Sequence, residues 1–230
     1  MQNSSRQSTA SQSSKDAARL LAPRELKPPV EWAAQNCLLR DNVSELPGSL
    51  RLFQYAQEPV NSLVNPQVQK VTLCWGSQSS KTTSMYAGVA YLLSEFPKDT
   101  LWIMPSAENA RAFSKGRWLP FVEDCIPLRA QCPLSLATGR IDSDKITNMR
   151  QEFLSCTLTF AGAGSENNVK SAPIAYLVLD EIDEIDPDIR LAALERIKGR
   201  REYKIIQTST PKDEVGGIWE EYLYGDQRRY

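Results

Sequence analysis

The run Ile174-Ala175-Tyr176-Leu177-Val178-Leu179 constrains the fold more than any other stretch of this chain. An unbroken apolar run of this length, with no polar alternation, marks a strand covered on both faces, which calls for helices above and below a largely parallel sheet. The run stops at Asp180-Glu181. Two carboxylates are therefore expected at the C-terminal edge of that sheet, where open α/β sheets bind their ligands.

The remaining segments fill in the same pattern. Lys70–Trp75 reads as a strand through Val71, Leu73 and Trp75, and after a Gly/Ser loop Met85, Val89, Leu92, Leu93 and Phe96 recur at helical spacing until Pro97. Thr100–Met104 is a short buried strand closed by Pro105, and Ser106 can cap a following helix. Leu154, Cys156, Leu158 and Phe160 alternate with polar residues, which predicts a strand paired as a hairpin with Ile146–Arg150. Asp186 and Pro187 open another helix, and Tyr203–Gln207 forms the next strand. The fold expected is α/β, with a mainly parallel central sheet flanked by helices. Residues 1–27 are expected to form a Ser/Gln-rich flexible tail, and 28–230 one domain whose first part, 28–69, is an entry segment of short helices and loops packed against the rest.

Composition narrows the chemistry. The chain has no histidine, which removes His general bases, His-containing triads and the usual zinc patterns. Its five cysteines lack a C-x-x-C pair and are expected to be reduced and mostly buried. A net charge of -1 gives no global basic footprint, so nucleic-acid contact has to come from a local patch or an assembled oligomer. No apolar run approaches membrane-spanning length, so no membrane partner is expected. Carboxylates, Lys, Arg, hydroxyls and a metal ion are what remain.

Lys70–Thr83, KVTLCWGSQSSKTT, places such groups after a strand and before a helix. The backbone N–H groups of Gly76, Ser77, Gln78, Ser79 and Ser80 can cradle a polyphosphate at a helix N-terminus, as in the ATP-binding P-loop. Lys81 would reach the β- and γ-phosphates, and the Thr82 hydroxyl would ligate Mg²⁺. Against the pattern G-x-x-x-x-G-K-[ST], Trp75 and Ser80 occupy the two glycine places. Taken alone, the stretch also fits a capped turn. Asp180 and Glu181 supply what the loop lacks, with Asp180 on the Mg²⁺ and Glu181 orienting and deprotonating the attacking water.

The nearby acids Asp183, Glu184, Asp186 and Asp188 read as a solvated acidic turn and helix cap; the alternative is a two-metal nuclease cluster, which would leave the Lys81 loop unexplained. Thr208-Ser209-Thr210-Pro211 follows the next strand. It is either an ordinary Ser/Thr turn or a sensor of the γ-phosphate that relays its loss.

With these residues in place, the chain resembles the N-terminal ATPase domain of tailed-bacteriophage terminase large subunits of the lambda-like type. The resemblance runs from about Pro29 to Tyr230. It is carried by Pro47-Gly48 with Tyr55, Gly76 to Thr82, Met104-Pro105-Ser106 with Ala110, Phe113 and Pro120, Phe160-Ala161-Gly162-Ala163, Leu177 to Glu181, Ser209-Thr210-Pro211 and Gly225 to Tyr230. The resemblance implies an ATPase that drives double-stranded DNA into a procapsid in the host cytoplasm. It would work as a homo-oligomeric ring on the portal protein, with a small terminase subunit recruiting DNA. It also implies that Tyr55 lies by the adenine, that Ser209-Thr210-Pro211 couples hydrolysis to motion, and that Lys170 takes the place of a catalytic arginine reaching a neighbour's site. Relatives continue into a nuclease domain, and no DNA cleavage is expected of this chain. Two other readings compete: a nucleotide-insensitive docking module with a degenerate loop, and a helicase-like remodeller.

Overall fold

The computed structural model describes residues 26–40, 47–164, 173–212 and 217–228. The tail expected over 1–27 lies almost wholly outside the described residues, and so does Lys170. In chain order the elements are α1 (Pro29–Asn36), β1 (Leu38–Leu39), β2 (Gly48–Ser49), α2 (Gln54–Ser62), β3 (Lys70–Cys74), α3 (Lys81–Glu95), β4 (Thr100–Met104) and α4 (Ala107–Phe113). A π-helical turn (Ser114–Trp118) leads into α5 (Leu119–Asp124) and α6 (Ile126–Ala130). Then come β5 (Arg150–Glu152), β6 (Thr157–Gly162), β7 (Tyr176–Asp180), a 3₁₀ turn (Ile182–Glu184), α7 (Pro187–Glu195), β8 (Lys204–Ser209) and α8 (Gly217–Leu223).

Six strands form the central sheet in the order β3-β8-β7-β4-β6-β5. All neighbours are parallel except β5, which runs antiparallel to β6 at one edge. Every residue of β4 and β7 is buried because the sheet has a core on each face. Trp102, Tyr176 and Val178 join α3 to α6 on one side; Leu101, Ile103, Leu177 and Leu179 join Ile189, Ala193 and Ile218 on the other. This period-2 division is what turns a strand sequence into a continuous apolar run.

Eleven of the fifteen residues of α3 are buried, so that helix must be covered on its outer side as well as by the sheet. The cover comes from α1 and α2. Trp32 packs edge-on to Tyr91 at 5.5 Å and donates from Nε1 to Glu95 Oε1 at 2.7 Å, which ties the 28–69 segment to the back of the helix that follows the loop. Burying an aromatic of this size contributes about 1.5–3 kcal/mol.

Both helix caps read from the sequence are formed: Ser106 Oγ accepts from Asn109 N at 3.0 Å and Asp186 Oδ1 from Asp188 N at 2.8 Å. The hairpin is not where alternation put it. β5 is Arg150–Glu152 and β6 begins at Thr157, while Leu154 is 70% exposed and Ile146 makes only an isolated bridge to Gln151. The register follows Gln151, which is fully buried, accepts from Trp118 Nε1 at 2.9 Å and donates to Ser114 Oγ at 3.3 Å. A polar residue with buried partners fixed the pairing, and hydrophobic alternation cannot report such partners. At the end of β6, a Cβ on Gly162 would lie 2.0 Å from Ala107 N, so only glycine lets the start of α4 cross there.

Candidate active site

β3 ends at Cys74, and the chain reaches α3 through two left-handed residues, Gln78 (φ 57°) and Ser80 (φ 61°). The left-handed conformation costs a residue with a Cβ about 1–2 kcal/mol. Ser80 adopts it in the folded loop, so the cost falls on the fold. Ser80→Gly is therefore expected to raise stability by up to about 1 kcal/mol once glycine's greater chain entropy is subtracted, and Tm by about 2–4 °C. Calorimetry should find its nucleotide Kd changed by less than about threefold; a much tighter Kd without a gain in Tm would mean that the loop is rebuilt on binding.

Lys81, the first residue of α3, is buried and folds back over this loop. Its Nζ donates to Trp75 O (3.1 Å), Gly76 O (2.8 Å) and Thr210 Oγ1 (2.7 Å). Ser79 Oγ donates to Gly76 O at 2.5 Å, while Gly76, Ser77 and Gln78 face solvent. Tyr55, half exposed, lies against the loop: its hydroxyl donates to Ser79 O at 3.1 Å and its ring stands edge-on to Trp75 at 5.2 Å. Phe53 stacks on Tyr55 with ring centroids 5.8 Å apart. Thr82 follows on the first turn of α3, half-buried.

The acidic side arrives on β7. Asp180 is 6% exposed, and burial first, then the neighbouring Glu181, push its carboxyl up to about 7; Lys81, the Glu181 N–H and Arg117 act the other way. A buried carboxylate whose charge is so poorly compensated fits a cation, and the oxygen donors present suit the hard ion Mg²⁺, which takes one or two carboxylates with phosphates and water. Glu181 is itself left-handed (φ 53°), a sharp departure from the strand, and its Oε2 accepts from Ser209 Oγ and Thr210 N, both at 3.2 Å.

The strand order explains why these groups meet. β8 lies between β3 and β7, with Cys74 opposite Ser209 and Asp180 opposite Thr208. Adjacent strands are about 4.8 Å apart, so the lysine and the acids approach from either side of β8 across roughly twice that distance. Thr210 sits in the gap and touches both, through Lys81 at its hydroxyl and Glu181 at its N–H. Thr208 and Ser209 are fully buried and belong to β8 itself, which runs past the Gln207 end expected from the sequence. Pro211 follows, exposed.

The four further acids are not simply a solvated turn. Glu184 pairs with Lys212 at 2.9 Å and Asp186 caps α7, but Asp183 is half-buried and accepts from Ile218 N at 2.6 Å and Lys212 N at 3.2 Å. Among the described residues, no group of three or more His, Cys, Asp or Glu could hold a metal ion, so nothing there supports a two-metal cluster. Sequence reading also passed over Arg117, an exposed residue of the π-helical turn whose charge acts on Asp180. π-helical segments recur at functional sites, but residue pattern does not reveal one, so no signal in the sequence pointed to Arg117.

A family model for the phage terminase large subunit gpA, ATPase domain, matches residues 44–230. The chain belongs to this family. No curated protein matches it. Among solved structures, the terminase chain is similar to the large terminase ATPase domain of Thermus phage P74-26, with TM-score 0.56 and 18% identity over 72% of this chain and 68% of that one. A mutant of the same domain gives 0.55 and 17% over 73% and 70%. At these identities the likeness is one of fold, and the mostly parallel six-stranded sheet with helices on both faces is that of a terminase ATPase domain. No described helix of this terminase chain is long and apolar enough to cross a membrane.

Proposed function

We propose that this terminase ATPase domain hydrolyses ATP with Mg²⁺ to drive double-stranded DNA into a procapsid. The observation that carries the reading is the meeting of Lys81 and Glu181 on Thr210, beside a buried Asp180. Phosphoryl transfer asks a protein mainly to position the triphosphate and spread transition-state charge. Lys81 can exchange its three neutral acceptors, Trp75 O, Gly76 O and Thr210 Oγ1, for phosphate oxygens without leaving the site. Asp180 and Thr82 would hold Mg²⁺, which when bound neutralises charge developing between the β- and γ-phosphates. Glu181 would give up Ser209 Oγ and Thr210 N to take the proton of the attacking water. Both changes free Thr210, so hydrolysis alters the tether on the loop after β8. That is the coupling assigned to Ser209-Thr210-Pro211. Tyr55, already on the loop backbone, would carry the adenine.

The finer reading also includes a ring of copies on a portal protein in the host cytoplasm, a small subunit recruiting DNA, and Lys170 acting on a neighbour's nucleotide. These, and double-stranded DNA as the cargo, rest on family membership alone. The test is titration calorimetry of the chain with Mg²⁺ and a non-hydrolysable ATP analogue, alongside phosphate release with ATP. Saturable binding that needs Mg²⁺, together with turnover, is the expected result. Absence of heat at millimolar nucleotide would instead make the domain a nucleotide-insensitive docking module.

A further inference from the structure

Beyond Glu181 the polar contacts continue in one direction. Ser209 Oγ, the donor to Glu181, accepts from Asp183 N at 3.4 Å. The Asp183 carboxylate then divides its two oxygens, Oδ2 taking Lys212 N just after the Ser209-Thr210-Pro211 segment and Oδ1 taking Ile218 N at the start of α8. One side chain thus clasps both the loop leaving β8 and the helix that follows. Gly217 makes the approach feasible: it is left-handed (φ 57°), and a Cβ there would stand 2.2 Å from Asp183 Oδ1. At its far end α8 is joined to the strands through Glu221 Oε2, which accepts from Lys70 Nζ at 2.5 Å and Gln207 Nε2 at 3.1 Å. Ile218 is fully buried in the core on that face of the sheet, so displacing the helix disturbs packing as well as hydrogen bonds.

We propose that Asp183 is a positioning residue through which the nucleotide state at Glu181 sets the placement of α8. The inference rests on the ATPase reading above. While Glu181 holds Ser209 and Thr210, the loop, the 3₁₀ turn and α8 form one hydrogen-bonded unit. When Glu181 turns to the attacking water, the loop loses that anchor, and Asp183 makes the loop and α8 respond together. Both Asp183 carboxylate oxygens are taken by backbone N–H groups, so its assigned part is to fix the segment that Glu181 releases.

α8 carries its own reporter. Trp219 is half-buried on α8, so a shift of the helix against the sheet changes its exposure and with it its emission. The response of the full chain to Mg²⁺ and a non-hydrolysable ATP analogue is recorded with and without Trp219→Phe, the difference being the α8 signal. In Asp183→Ala, kcat is expected to fall about tenfold or more, with KM and analogue Kd within about twofold and the Trp219 signal lost. Asp183→Asn keeps one acceptor and should fall between this variant and the parent. It decides the matter on the same readouts if Asp183→Ala does not fold. Retention of kcat and of the Trp219 signal overturns the proposal, and so does a parallel decline of Tm, nucleotide affinity and kcat in Asp183→Asn, which would mark a purely structural residue. Failure of the ATPase reading looks different: the unmodified chain would then neither bind nor hydrolyse ATP.

Discussion

Glu181→Gln is expected to lower ATP turnover by about 10²–10⁴-fold, the range typical of removing a positioned general base, while Mg²⁺-nucleotide binding stays within a few-fold of the parent. The substitution isolates the proton-accepting function because glutamine keeps the length of the side chain and a carbonyl oxygen. Ser209 Oγ and Thr210 N, which both donate to Glu181 Oε2, can donate to that amide oxygen instead. The loop after β8 should therefore hold its place and the melting temperature should move little. Single-turnover phosphate release, measured beside calorimetric binding, separates the steps. Unchanged release in the variant would remove Glu181 from the chemistry and leave the carboxylate as a tether for the loop.

The second large effect falls on binding. Lys81→Met is expected to weaken nucleotide affinity on the order of 100-fold, because a charge-assisted hydrogen bond to a phosphate oxygen contributes about 1.5–3 kcal/mol. Stability should move the other way or stay level. Lys81 is buried with neutral oxygens as its hydrogen-bond acceptors, and an ammonium taken from water without a bonded anion is costly to bury. Methionine fills similar space without the charge. A thermal melt without nucleotide should therefore hold or rise while the affinity read in a titration falls. If both fell together, Lys81 would be a structural clamp on the loop and not a residue held ready for phosphate.

Much of this site was legible because its parts are local. Apolar runs without alternation gave β4 and β7, helical spacing gave α3, and Asp180-Glu181 followed from where a run stopped. The left-handed Ser80 could be anticipated because a glycine place was filled by serine. What escaped depends on partners far along the chain. The position of β8 between β3 and β7 makes Thr210 the meeting point, and no residue pattern encodes which parallel strand enters between two others. Asp183 looked like one more surface acid because its ligands are backbone N–H groups of Lys212 and Ile218, which have no side-chain signature. The shifted β5 register turned on the buried amide of Gln151, a residue that hydropathy assigns to the surface.

The strand order also sets a timetable for biogenesis. Thr72 on β3 bonds to Gln207 on β8, 135 residues later, and among the described residues β8 is the one strand that pairs with β3 in the sheet. A ribosome that has released β3, the loop and α3 has made every group that would cradle phosphate, yet none of the strands that hold β3 in register. Those pairings carry the loop-closure entropy of a long intervening chain, and contacts of this kind form late and slowly. The nucleotide pocket is thus completed only when β8 docks, among the last steps of folding. A nascent chain halted before Lys204 would display β3 with neither edge paired, a surface for chaperones.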